Sequence, residues 1–551
     1  MSLLTSRPPG TAEPPAVSPP GARGRARRWL YALVVAALLA EMAIAMLTTA
    51  VAQSPTIDEP VYAGTAVVYL EQHSLRYNPE HPPLGKLIIA TGPAFAGVHL
   101  DPAFTGDQTQ LGRHVLYESG RDPGHLLLLA RLPVIVLTLL FGLVVFAFAR
   151  DLAGPAGGLV ALGLSAFSPD LIAHGSLATL DVPVAGFLVT SAWLAWRTRR
   201  RPTLYLPLTG LALGAAVATK MSALAAVPVV LLLVVLPAWR APEGRVRRLA
   251  AAATSVALLA IAVVWASYSV VDPQVRWVTP PGLPPLRGVR ALAAWLPLPE
   301  PYLAGMRVQF GFEDQVWTTF LFGTQHAGSL WYYLPAALLV KTPLGALALW
   351  AFGAVVLTAI PRLRPAAPYV LVPAAVLLAS AMTGSRDLGV RYAVFVPMFL
   401  AVAAGGVVLL RRRGVQVVVA GLVVFSAVSS LRTYPYYVPY ANEAFGGPAA
   451  THLRLHDSNV DWGQDLGRLG ERLRSRYPGE RVWLVYKGSG VPSYYGIEAS
   501  DPLAVPPSEV RGLLVVSDSA AAKADGRLAA LIRESAQIDE VGHAITLYRR
   551  P

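Results

Sequence analysis

Cysteine is absent from this chain. Disulfides and thiolate metal sites are therefore excluded, and the redox state of the compartment leaves no mark. Charge is scarce as well. Only 14% of the 551 residues are Asp, Glu, Lys or Arg, where a soluble domain carries about a quarter. That excludes an entirely soluble protein. No internal repeat is evident, so the inverted-repeat pattern of many transporters is missing too. What the chain has is apolar length. It is 54% hydrophobic, in runs that make it a polytopic membrane protein with a soluble part.

The net charge of +13 suggests nucleic acid at first, but the arginines are placed otherwise. Arg7, Arg23, Arg25, Arg27 and Arg28 precede the first apolar run, and Arg150 follows the second. Arg197, Arg199, Arg200 and Arg201 follow the fourth, and Arg240, Arg245, Arg247 and Arg248 the sixth. Arg362 and Arg364 follow the eighth, and Arg411, Arg412 and Arg413 the tenth. The same stretches hold only Glu13, Asp151 and Glu243 as acids. The positive excess thus lies on one face, as cytoplasmic loops require. Membrane lipids, not nucleic acid, are the expected partners.

Residues 1–28 are rich in Pro, Gly and Ala and read as a disordered cytoplasmic tail. A membrane domain follows over 29–431, with runs near 29–51, 126–149, 156–173, 182–197, 203–219, 221–238, 249–271, 334–360, 367–384, 391–410 and 414–431. That predicts about eleven crossings. Ala50-Val51-Ala52 looks like a signal-peptidase site, but the run before it is too long, so an uncleaved anchor is expected. Two long outer loops span 53–125 and 272–332, and 84–98 suits an interfacial helix. Residues 432–551 read as an outer α/β domain, with strands at 481–486, 512–517 and 545–549 and helices at 466–477 and 520–535.

Candidate chemistry clusters at the outer ends of the runs. Asp58 and Glu59 follow the first; Thr56 with Glu59 also fits a helix-capping pattern. Next comes Asn78-Pro79-Glu80-His81-Pro82-Pro83-Leu84-Gly85-Lys86, whose prolines set a turn and open a helix. Asp181, before Pro183, is either a helix cap or a third acid on the same face. Lys220, Lys341, Arg386 and Arg391 break the inside bias on the outer side. They either anchor anionic headgroups or form a cluster that holds a phosphate. Trp331-Tyr332-Tyr333 suits an interfacial belt.

Ile57-Asp58-Glu59, with Tyr62 and Gly64, then His81-Pro82-Pro83-Leu84-Gly85-Lys86, resembles the first outer loop of protein O-mannosyltransferases. Glu80-His81-Pro82-Pro83 is similar to a motif of bacterial aminoarabinose transferases. Both belong to the GT-C superfamily of glycosyltransferases that use polyprenyl-phosphate sugars. Trp331-Tyr332-Tyr333 with Lys341-Thr342-Pro343, then Gly389-Val390-Arg391-Tyr392, look like segments of bacterial members. So does Asp457-Ser458-Asn459-Val460-Asp461-Trp462-Gly463-Gln464-Asp465-Leu466. The resemblance runs from residue 30 to about 500. It implies a GT-C fold and a multi-pass protein of a bacterial plasma membrane. It further implies transfer of a sugar from a polyprenyl-phosphate donor to a lipid, glycan or protein acceptor.

The resemblance gives Asp58 the role of base or acceptor-orienting residue, and Asp181 that of the second acid. Eukaryotic members carry an arginine shortly before that acid, where this chain has His174. No segment resembles the sugar-binding domain those members insert, so a protein is not singled out among the acceptors. Some members use a divalent metal; Asp58, Glu80 and His81 could supply ligands, though their spacing does not demand one. On physical grounds, the leaving phosphate needs positive charge from Lys341, Arg391, Lys220 or Arg386. The acceptor hydroxyl needs a base, for which Asp58 is the candidate, with Glu59 or Glu80 orienting. His81 and Lys86 are candidates to bind donor phosphate or tune Asp58. A single displacement would invert the anomeric centre. A lipid or solute transporter is the alternative, but its polar groups would gather near the bilayer midplane.

Overall fold

A computed structural model describes residues 22–237 and 245–551. Residues 1–21 of the expected tail, with Arg7 and Glu13, lie outside the described residues, as do Arg240 and Glu243. Residues 22–28, expected in the tail, belong instead to the first helix, Ala22–Ala52.

Among the described residues, six helices are long and apolar enough to cross a membrane: Ala26–Ala52, Pro123–Ala166, Pro202–Thr219, Val246–Val271, Arg364–Ala381 and Arg413–Thr433. Tyr333–Lys341 and Leu344–Ala359 make a seventh if counted as one span bent by 120°. Shorter apolar helices at Met221–Val235 and Phe395–Leu409 pack among them. The 44-residue helix Pro123–Ala166 is two rods, broken at Gly154 where φ is +80°. Only glycine adopts that geometry cheaply, and Pro155 follows with no amide hydrogen to give. This break separates two of the runs expected from the sequence, at the arginine-bearing side.

The run expected over 334–360 is not one straight rod. Pro343 cannot donate to the helix ladder, and it forces Thr342 into extended backbone, φ −102° and ψ 133°. Lys341 therefore ends a helix rather than sitting inside a span.

The first outer loop is built on helices Glu59–Glu71 and Pro83–Ala90. The second helix stops before Gly92-Pro93, short of the expected residue 98. In the second outer loop, helix Glu300–Glu313 is followed by a hairpin of β1 (Thr318–Leu321) and β2 (Thr324–Ala327). The sequence reading had neither.

The outer domain holds a five-stranded sheet of β3 (Val482–Val485), β4 (Ala499–Ser500), β5 (Gly512–Ser517), β6 (Ala536–Val541) and β7 (Ile545–Arg550), in the order β4-β3-β5-β7-β6. β3 runs parallel to both β4 and β5; β7 runs antiparallel to β5 and β6. Alternation along β5 fills two cores. Leu513 and Val515 face helix Leu466–Arg476, while Leu514 and Val516 join Trp483, Leu528 and Leu531 on the other side. The helix expected over 520–535 divides at Lys523 into Asp518–Ala522 and Gly526–Arg533. β6 follows, at a stretch for which the sequence reading held no expectation.

Candidate active site

Glu59 and Asp58 are neighbours in sequence and opposites in structure. Glu59 is fully buried and takes a bidentate pair from Arg131, Nη2–Oε2 at 2.6 Å and Nε–Oε1 at 2.7 Å. It also accepts from Thr56 N and Oγ1, and from Ala178 N at 2.8 Å. Arg131 spends its remaining donors on the carbonyls of Ala50, Gln53 and Ser54, at the end of the first helix. The Thr56–Glu59 pairing is thus present, but as part of a buried strut rather than a solvated cap. No acceptor capacity on Glu59 faces a substrate. The expectation of a catalytic Glu59 is corrected accordingly.

Asp58 points the other way. Ser54 N bonds Gln464 O at 3.0 Å, Ile57 N bonds Trp462 O at 3.0 Å, and Ser489 Oγ bonds Ile57 O at 2.8 Å. The outer domain therefore clamps the irregular segment that presents Asp58. Its Oδ2 accepts from Arg391 Nη1 at 2.6 Å.

The turn after helix Glu59–Glu71 is held from inside. Lys86 is buried, and its ammonium donates to Asn78 O (2.7 Å), Asn78 Oδ1 (3.1 Å) and His81 O (2.7 Å). Burial pulls its pKa down to about 7, with Glu80 opposing. Lys86 thus staples the turn and offers nothing to a donor phosphate, which corrects that expectation. Glu80 is buried in the cavity wall, accepting from Gln108 Nε2 at 3.0 Å. His81 lies 5.9 Å from the Tyr62 ring, with Nδ1 buried and unpartnered. Burial first, then Lys220, Lys86, Arg386 and Arg391, hold its pKa well below the usual histidine range. It is neutral near pH 7, so it can donate a hydrogen bond but supplies no charge.

The cations come from distant parts of the chain. Asp181, the first residue of helix Asp181–Arg197, receives Lys220 Nζ at 2.5 Å. Arg391 reaches Asp58 and stands 3.9 Å from Asp181. Its guanidinium lies 4.3 Å from the Trp462 ring centre and 5.1 Å from that of Tyr392. Its Nε is buried without a partner. Gly389, two residues earlier, has φ +147°, and a Cβ there would meet Ser458 Oγ at 2.0 Å. That close approach sets the turn that aims Arg391 inward. Arg386 pairs with Glu313, at 2.8 and 3.0 Å.

Lys341 is elsewhere. Its ammonium donates to Val438 O (2.5 Å) and Asn459 O (2.9 Å) and lies 3.6 Å from Asp170, at 1% exposure. Its two hydrogen bonds fix the outer domain onto the broken helix, and Asp170 balances its charge. It is not part of a phosphate clamp, contrary to expectation, because Pro343 turns the chain away at that point. Tyr437 and Tyr440 are buried in the same junction, and Asn459 Nδ2 donates to Tyr333 Oη at 2.9 Å.

Asp58, Glu80, His81, Asp181, Lys220, Arg386 and Arg391 all line one cavity of about 530 Å³. One side is polar; Val184, Leu188, Leu377 and Phe395 form an apolar side. Tyr62, Gln108, Gln309, Glu313 and Tyr392 complete the wall. The sequence reading gave these no role. Glu313 had no local signal, because its partner Arg386 is 73 positions away. Among the described residues, no group of three or more His, Cys, Asp or Glu is placed to hold a metal ion. Asp58, Glu80 and His81 share the cavity without forming a coordination set.

Residues 35–270 match the family model described as dolichyl-phosphate-mannose-protein mannosyltransferase. No curated protein gives a match. Among solved structures, the chain is similar to ArnT from Cupriavidus metallidurans bound to undecaprenyl phosphate. Identity is 15%, over 95% of this chain and 98% of that one, with a TM-score of 0.48. It is similar to the archaeal oligosaccharyltransferase AglB from Archaeoglobus fulgidus, in complex with an inhibitory peptide and a dolichol-phosphate. There identity is 13%, over 80% of this chain and 58% of that one, with a TM-score of 0.42. The S. cerevisiae protein O-mannosyltransferase Pmt1-Pmt2 complex bound to the sugar donor shows 19% identity, over 44% of this chain and 33% of that one, at a TM-score of 0.34.

Proposed function

We propose, from the premise that residues 35–270 are those of a membrane glycosyltransferase of the dolichyl-phosphate-mannose-protein mannosyltransferase family, that this chain moves a sugar from a polyprenyl phosphate to an acceptor hydroxyl. The observation that carries the reading is the alternation Asp58–Arg391–Asp181–Lys220 on one cavity wall. Two cations supported by two acids are preorganised for a phosphate, and one of the acids is free to change partner. The apolar side of the cavity suits an isoprenoid tail.

The donor phosphate takes over the Arg391 and Lys220 donors, with Arg386 at the rim. Asp58, released from Arg391, accepts the proton of the acceptor hydroxyl. The acceptor oxygen forms its bond to the anomeric carbon as the carbon–oxygen bond to phosphate breaks. The electron pair leaves with the polyprenyl phosphate. A single displacement inverts the anomeric centre. Trp462 and Tyr392 hold the Arg391 guanidinium flat while its partners exchange. Glu80 and neutral His81 face the same space and orient sugar or acceptor hydroxyls.

In the sequence, the acids and cations of this cavity stand at the ends of apolar runs away from the arginine-rich loops. The reading therefore places transfer outside a bacterial plasma membrane, with the N-terminus cytoplasmic and the sheet domain outside. The test is turnover of synthetic polyprenyl-phosphate sugars by the purified protein, with the product anomer read by NMR. Retention of the donor's configuration, or no release of polyprenyl phosphate with any of a panel of sugars and hydroxyl acceptors, refutes it.

A further inference from the structure

A second cavity, of about 750 Å³, lies where the end of the first helix, the first outer loop and helix Leu466–Arg476 meet. Its size is that of a site enclosing a small organic ligand. Three tyrosines stand in its wall. The rings of Tyr117 and Tyr494 meet edge to face at 5.3 Å, and those of Tyr494 and Tyr495 at 5.1 Å. They brace one another, yet Tyr494 stays 47% exposed. Facing them, Arg468, Glu471 and Arg474 recur at spacings of three on one side of the helix.

Two buried polar groups in this wall have no partner: the Gln53 side-chain oxygen, on a residue only 5% exposed, and Arg468 Nη2. Buried polar atoms are almost always satisfied, and these two lining residues each keep an unused acceptor or donor, Arg468 with its guanidinium 4.9 Å from the Tyr436 ring centre. Arg468 is already paired with Asp465, and Glu471 offsets Arg474, so little net charge remains for an anion. None of the lining residues belongs to a strand, so no sheet edge is offered to an extended peptide. Ring faces among uncharged-in-sum donors and acceptors complement a pyranose, which has an apolar C–H face and a belt of hydroxyls.

We propose that this cavity binds a neutral oligosaccharide, at a site distinct from the transfer cavity. Gln53-Ser54-Pro55 in its wall lead to Asp58 within about 10 Å of chain. A saccharide held here is thus anchored on the segment that carries the candidate base. Its role as the glycan part of an acceptor rests on the transfer reading; the binding does not.

The test is saturation-transfer NMR on the full-length protein in detergent. The probes are mannotriose and cellotriose, with a Ser/Thr-rich peptide and inorganic phosphate as competitors. At least one trisaccharide is expected to show transfer. Tyr494→Ala should weaken it about fivefold or more, while Tyr494→Phe, which keeps the ring face, retains it. Asp58→Asn should leave it unchanged. If Tyr494→Ala lowers the melting temperature, the exposed Glu471→Ala carries the same expectation. The proposal is overturned if neither trisaccharide binds, if binding survives both substitutions, if Asp58→Asn abolishes it, or if peptide or phosphate displaces it. Saccharide binding as expected with no sugar transfer would refute the transfer reading and leave this site standing.

Discussion

Asp58→Asn and Glu59→Gln change adjacent residues by the same loss of charge, and the structure gives them opposite consequences. Asp58 has one ion-pair partner at 2.6 Å and a side chain 27% exposed, at the edge of a cavity. Asparagine keeps its shape and can still accept from Arg391, which also retains Asp181 nearby. Stability should therefore change little, by about 1 kcal/mol or less, as for a partly exposed pair. Donor binding should hold or tighten, because the cavity becomes more positive. Turnover should fall about 10²–10⁴-fold, the usual worth of a general base. Glu59 makes five hydrogen bonds, two of them to Arg131, all without solvent. Glu59→Gln leaves that guanidinium buried and uncompensated, a loss of about 3–5 kcal/mol. The molecules that do fold should keep Asp58 and hence their chemistry. The assay is single-turnover transfer from a radiolabelled polyprenyl-phosphate sugar, normalised to folded protein by size-exclusion chromatography, with melting temperatures in parallel. If Asp58→Asn turned over within threefold of the parent, or Glu59→Gln lost more turnover per folded molecule than Asp58→Asn, the assignment of roles would be wrong.

Arg391→Lys keeps the charge but cannot lie flat on Trp462 while reaching two acids, so kcat/KM should drop about 10–100-fold; unchanged kcat/KM would discredit the phosphate clamp. Lys341→Met should leave donor affinity intact yet loosen the outer domain, seen as faster proteolysis between residues 432 and 465; weakened donor binding with a firm domain would reverse that placement. Asp461 titrates in the outer domain. Burial is the main cause that raises its pKa to about 7, with Asp518 adding to it. The folded state therefore holds a proton that the unfolded state releases near the ordinary aspartate value of about 4. The stabilisation is full below that value and is lost as pH rises from about 4 to 7. The melting temperature of the parent relative to Asp461→Asn should accordingly be higher at pH 4 than at pH 8. A difference that stays flat across that range would contradict the titration.

The architecture was legible to the extent that it follows from local pattern. Apolar runs, their arginine flanks and the strands at 481–486, 512–517 and 545–549 needed no partner information. The site was legible where charge interrupted apolarity: Asp58, Asp181, Lys220, Arg386 and Arg391 all stand out in that way. The errors have one cause. Lys341 also interrupts an apolar run, but Pro343 breaks the helix and the carbonyls of Val438 and Asn459, about a hundred residues on, absorb its charge. Lys86 is consumed by its own turn, and Glu59 by Arg131, 72 positions away. A charged residue in an apolar setting needs a partner, and the sequence does not say whether that partner is protein or substrate.

By itself, then, the order of residues determined that the chain holds apolar runs of membrane-crossing length and that acids and cations gather at the ends of several of them. Those outcomes depend on transfer free energies and on chain stiffness, which act within a few residues. The fold alone decided which of two consecutive acids turns toward the cavity, since successive helical side chains diverge by about 100°. It also decided which cations remain open to a ligand. That depends on donors and acceptors brought within 3 Å from hundreds of positions apart, as when Arg391 meets Asp58 and Trp462 lies against the guanidinium.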